Sequence, residues 1–105
     1  LFHPTVQPFI RSYLTTDPAE LMAEVDVPAL IISGRRDIQV TIDNAERLKS
    51  VAKHGKHINF EDMSHVLKDA TSNDQIEQLV SVYTNSQLPL TKGLSSAITE
   101  FIYNI

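Results

Sequence analysis

Two residues in this 105-residue sequence are of types that could do chemistry together: Asp37, at the end of Gly34-Arg35-Arg36-Asp37, and His65, at the end of Met63-Ser64-His65. A carboxylate that accepts the Nδ1 proton of an imidazole fixes the ring's tautomer. It also stabilises the imidazolium that forms when Nε2 takes the proton of a serine hydroxyl. That chemistry requires both side chains in one place, although 28 residues separate them in sequence. Each also has an ordinary role open to it. An aspartate after a glycine commonly bonds its own backbone as a turn-former, and a loop histidine commonly faces water.

The neighbouring elements give the reason to expect convergence. Ala29-Leu30-Ile31-Ile32-Ser33 is a short apolar run closed by Gly34, as in a strand buried on both faces of a parallel sheet. His57-Ile58-Asn59-Phe60 alternates polar with apolar and reads as a second strand. Between them, Ile42 to Lys53 places Ile42, Ala45, Leu48, Val51 and Ala52 on one helical stripe, with Thr41 as its N-cap. Strand, helix and strand make a βαβ crossover with parallel strands, so both carboxyl ends reach the same edge of the sheet. Ligands of open α/β sheets bind beyond that edge.

Four more helices are expected. Val6 to Leu14 carries one apolar face. Pro18 to about Glu24 follows Asp17, with proline at the first helical position and Glu20 at the third, in the manner of a capping box. Ile76, Leu79, Val80 and Tyr83 mark the next face, and Leu94 to Ile105 the last. Lys68 and Asp69 are read as beginning or flanking a helix. The expected fold class is therefore α/β: a parallel βαβ unit flanked by helices. Two strands cannot bury their own edges. The opening Leu1-Phe2-His3-Pro4 has no initiator Met and reads as a cut end, with further strands expected upstream.

Pro28-Ala29-Leu30-Ile31-Ile32-Ser33-Gly34-Arg35-Arg36-Asp37, followed by Met63-Ser64-His65-Val66-Leu67-Lys68, resembles the last two strands of an α/β-hydrolase, in the lysophospholipase-like and serine-aminopeptidase-like branch. The resemblance covers Asp17 to the C-terminus. It implies that residues 1–105 are one partial domain, the C-terminal part of such an enzyme, with residues 1–16 as the end of a cap. It further implies Asp37 as triad acid, His65 as general base, and acyl transfer from an ester, thioester or small amide. The family's order is Ser, Asp, His, with the serine in G-x-S-x-G, and no serine of this chain has that context. Acid and base are thus expected without the group they activate, and the chain alone is expected to be inactive. The same pair also fits the aspartate-nucleophile chemistry of dehalogenases and epoxide hydrolases. From a different class comes a non-catalytic α/β interaction module that self-associates through an exposed strand edge.

Composition narrows the field further. Nine Lys+Arg against thirteen Asp+Glu give a formal charge of −4, which argues against a nucleic-acid backbone as partner. The absence of cysteine excludes disulfides, thiolate catalysis and sulfur-ligated zinc, and leaves the compartment open. The longest apolar stretch, Val27 to Ile32, falls far short of the ~20 residues of a membrane-spanning helix. His54, His57, His65 and Asp62 lack any metalloenzyme spacing, so neither metal nor cofactor is expected. Arg35 and Arg36 could meet an anionic group but fit a solvated loop better. Ser64 adjoins His65 too closely for in-line proton transfer, so it is not expected to serve as a nucleophile.

Overall fold

The computed structural model describes residues 3–105. In chain order the helices are α1 (Gln7–Thr15), α2 (Pro18–Glu24), α3 (Ile42–Val51), α4 (Gln75–Gln78) and α5 (Leu94–Tyr103); the strands are β1 (Ala29–Gly34) and β2 (Gly55–Phe60). A π-helical segment, Leu79–Tyr83, continues α4. The chain is a mixed α/β protein whose two-stranded sheet is parallel, with Ala29 paired to Gly55 and Gly34 to Phe60. The reading of Leu1 and Phe2 as a cut end lies outside the described residues.

Side chains alternate across a strand, so the register assigns the two faces. Ala29, Ile31 and Ser33 share one with Gly55, His57 and Asn59; Leu30, Ile32 and Gly34 share the other with Lys56, Ile58 and Phe60. The helix α3 packs on both strands, and α2 packs on α3. Asp17 joins these two helices through two tasks. Its Oδ1 accepts the Ala19 N–H at 3.0 Å, capping α2, and both its oxygens accept from the Arg47 guanidinium on α3 at 2.9 and 2.6 Å. Arg47, with the Ala19 N–H, holds the Asp17 carboxyl below the usual carboxylate range.

Two local expectations need correction and a third needs qualification. β1 is not buried on both faces: of its side chains only Ile31 is buried, the rest being half-buried around a buried Gly34. Thr41 takes the N-cap position of α3 as expected, but without a side-chain cap bond; its own oxygens instead accept from Asn44 Nδ2, both at 3.4 Å. Lys68 and Asp69 start no helix. Asp69 pairs with Met63 in an isolated antiparallel bridge, and Ala70 N donates to the Asp62 carbonyl at 2.8 Å, so the chain leaving β2 doubles back as a tight loop. Helix periodicity is absent from so short a segment, and a turn satisfies the backbone there instead.

Candidate active site

Both sequence-predicted residues sit where β1 and β2 end, and the structure brings them together. Asp37 ends a turn in which its N–H donates to the Gly34 carbonyl at 3.1 Å. Its Oδ1 accepts the backbone N–H groups of Gln39 and Val40 at 2.8 and 2.9 Å. Its Oδ2 lies 3.0 Å from His65 Nδ1. A carboxylate can only accept, so Nδ1 carries the proton in the neutral ring and Nε2 bears the lone pair. Among the described residues His65 Nε2 has no bonding partner, and the ring is 41% exposed against 13% for the Asp37 side chain. Burial, the largest influence on Asp37, pushes its carboxyl up. The Val40 N–H, His65 and the Gln39 N–H together outweigh that and leave it below the usual range.

The two loops are also fastened to each other by backbone. Arg35 N donates to the Phe60 carbonyl and Arg36 N to the Met63 carbonyl, each at 3.0 Å. This close approach requires a glycine: a Cβ at Gly34 would run into the carbonyl of Met63. Met63 and Ser64 are buried beneath the tip that carries His65. The Ser64 hydroxyl donates to the Lys68 carbonyl at 2.7 Å, beside its own N–H at 2.8 Å, so this serine closes the loop. The turn passes through Leu67 at φ 66°, a left-handed conformation uncommon for a branched side chain and held here by these bonds. Arg35 faces Glu61 at 3.6 Å and Arg36 faces Asp62 at 3.8 Å, which directs both guanidinium groups to carboxylates of the β2 loop.

The other two strand-region histidines go elsewhere. His54 Nε2 donates to Asp26 Oδ1 at 3.0 Å below the amino ends of the strands. That Asp26 side chain is 76% exposed. The contact is equal in length to the Asp37 pair, but among the described residues Asp26 has no backbone donors like those that hold Asp37. His57 Nε2 lies 2.8 Å from Ser33 Oγ, which donates its own proton to Asn59 Oδ1 at 2.9 Å, so the imidazole is the donor in the first bond.

Sequence reading missed this Ser33–His57–Asn59 cluster, although strand parity aligns all three once the register is known. It also missed Gln78, which is 1% exposed. The Gln78 amide donates to the Arg36 and Ser72 carbonyls, both at 2.8 Å, and so ties the loop of Asp37 to the chain beyond His65. No spacing signals such a residue, because an isolated glutamine on a helix ordinarily faces water. The grooves along α1, of about 510 and 400 Å³, involve neither loop. Compared with known proteins, the chain matches no family model, no curated protein and no solved structure.

Proposed function

We propose that this chain is the C-terminal part of a serine hydrolase acting on ester, thioester or small amide bonds, supplying the acid and base of an α/β-hydrolase triad while the nucleophile lies outside the sequence. The observation that carries this reading is the Asp37–His65 pair, with Nδ1 bonded to a carboxylate fixed by two backbone N–H groups and Nε2 left open. In this scheme Nε2 takes the hydroxyl proton as the serine oxygen bonds to the substrate carbonyl. Asp37 stabilises the imidazolium, and the ring then gives that proton to the leaving group as the scissile bond breaks. In the full-length enzyme, Asp37→Asn or His65→Ala should lower kcat by about 10³ or more with a smaller change in KM. Turnover at the wild-type rate would remove both residues from the mechanism.

A second reading is favoured by one observation. Apolar side chains such as Phe9, Tyr13, Ile76, Val80 and Ile102 are exposed, and a two-stranded sheet has open edges. An interaction module that self-associates would cover them.

A further inference from the structure

The loop of Asp37 is held from outside as well as by its own turn. The peptide that joins Arg36 to Asp37 is bonded at both ends: its N–H donates to the Gly34 carbonyl at 3.1 Å, and its carbonyl accepts from Gln78 Nε2 at 2.8 Å. A second tether lies on the other side of the acid. Gln39, whose N–H holds Asp37 Oδ1, donates through its side-chain Nε2 to the Tyr83 hydroxyl at 2.9 Å. Gln78 ends α4 and Tyr83 ends the π-helical segment that continues it. One helical element therefore grips the loop before and after Asp37.

This grip accounts for two irregularities of that element. On an α-helix the residues that share a face are three or four apart, so Gln78 and Tyr83, five apart, would not point the same way. A π-helical turn bonds residue i to i+5, and Leu79–Tyr83 supplies that wider turn where the two side chains need it. The second irregularity is the glutamine itself. Gln78 is 1% exposed, yet its Oε1 has no hydrogen-bond partner among the described residues. A buried acceptor left unpaired costs stability, and an apolar side chain of the same length would leave none. What the amide contributes is its two donated bonds, to the carbonyls of Arg36 and Ser72, both at 2.8 Å. Local rules of packing are broken in this way chiefly where a site has to be placed.

We infer that Gln78 is a positioning residue for the Asp37–His65 pair, with Tyr83 as its weaker partner: the two fix the loop on either side of Asp37 so that Oδ2 meets His65 Nδ1. That the pair so placed performs acid–base chemistry rests on the hydrolase reading; the placement itself does not.

The test reads the His65 Nδ1 proton by NMR in the 105-residue chain at neutral pH, through its chemical shift and its rate of exchange with water. Gln78→Met keeps the length of the side chain and removes both donors. The Nδ1 proton should move upfield and exchange about five-fold faster or more, while the backbone amide signals of β1 and β2 stay in place. Asn73→Ala is the control for a merely structural tie. It cuts the bond from Arg36 Nη1 to Asn73 Oδ1, which joins the same two segments at an exposed side chain without touching the peptide before Asp37, and should leave the proton where it is. An Nδ1 proton unmoved in folded Gln78→Met, or moved as far by Asn73→Ala, would overturn the inference. If Gln78→Met does not fold, Tyr83→Phe decides: exchange about two-fold faster is expected, and no change would overturn it. In the full-length enzyme Gln78→Met should lower kcat by about ten-fold with KM little altered. An unchanged kcat beside a displaced Nδ1 proton would leave the positioning intact and sink the acid–base reading alone.

Discussion

Asp37 divides its two oxygens between two tasks. Oδ1 accepts from the Gln39 and Val40 backbone, as a turn-forming aspartate does, while Oδ2 faces His65. Turn-forming and the proposed catalytic role are therefore compatible, because the turn is what immobilises the carboxylate. The depressed Asp37 pKa carries a sign. A carboxyl whose folded value lies below its unfolded value of about 3.9 stabilises the fold at higher pH, and that contribution disappears as pH falls through the folded value. Asn at this position keeps the Oδ1 acceptor but loses the charge. Wild-type chain should thus be more stable than Asp37→Asn in urea at pH 7, with the gap closing below about pH 4. A gap that stays constant through that range would mean the charge is not what stabilises the turn.

At the scale of elements, the site is made by two loops that cannot move apart independently. Backbone bonds run from Arg35 and Arg36 into the β2 loop, and Gly34 permits the contact. Gly34→Ala should cost about 1–3 kcal/mol, read from the urea midpoint, because a new methyl meets backbone that can yield only by displacing Met63 and the tip behind it. An unchanged midpoint would show the loops to be more yielding than this packing implies. The βαβ unit was legible because its signals are local: an apolar run stopped by Gly34, a helical stripe from Ile42, and an alternating strand ending at Phe60. Asp37 and His65 could be placed at one edge from topology alone. The Ser33–His57–Asn59 cluster, the Gln78 bridge and the doubling-back of Lys68 and Asp69 could not. The first two depend on register and on partners 26 and 42 residues away, and the third on a short bridge between Met63 and Asp69 that carries no periodic signal.

The whole molecule carries more surface than its mass needs. A compact protein of 11.8 kDa exposes about 5,900 Å², whereas this chain exposes 7756 Å². Its radius of gyration is 16.1 Å, against about 13 Å for a compact domain of this length. The excess, about 1,800 Å², is more than one partner contributes to a standard protein–protein interface. No helix among the described residues is long and apolar enough to cross a membrane. Isolated in solution, the 105-residue chain should therefore associate with itself, and multi-angle light scattering at micromolar concentration should give a mass above 11.8 kDa. A monodisperse monomer would show that the exposed apolar faces are tolerated in water.

The acid–base claim is tested most directly by ¹H–¹⁵N NMR of the His65 ring. The neutral imidazole should carry its proton on Nδ1, in a downfield signal that is lost in Asp37→Asn, with Nε2 unprotonated. A ring protonated on Nε2 instead, or a spectrum indifferent to Asp37→Asn, would contradict the pairing on which the proposed chemistry stands.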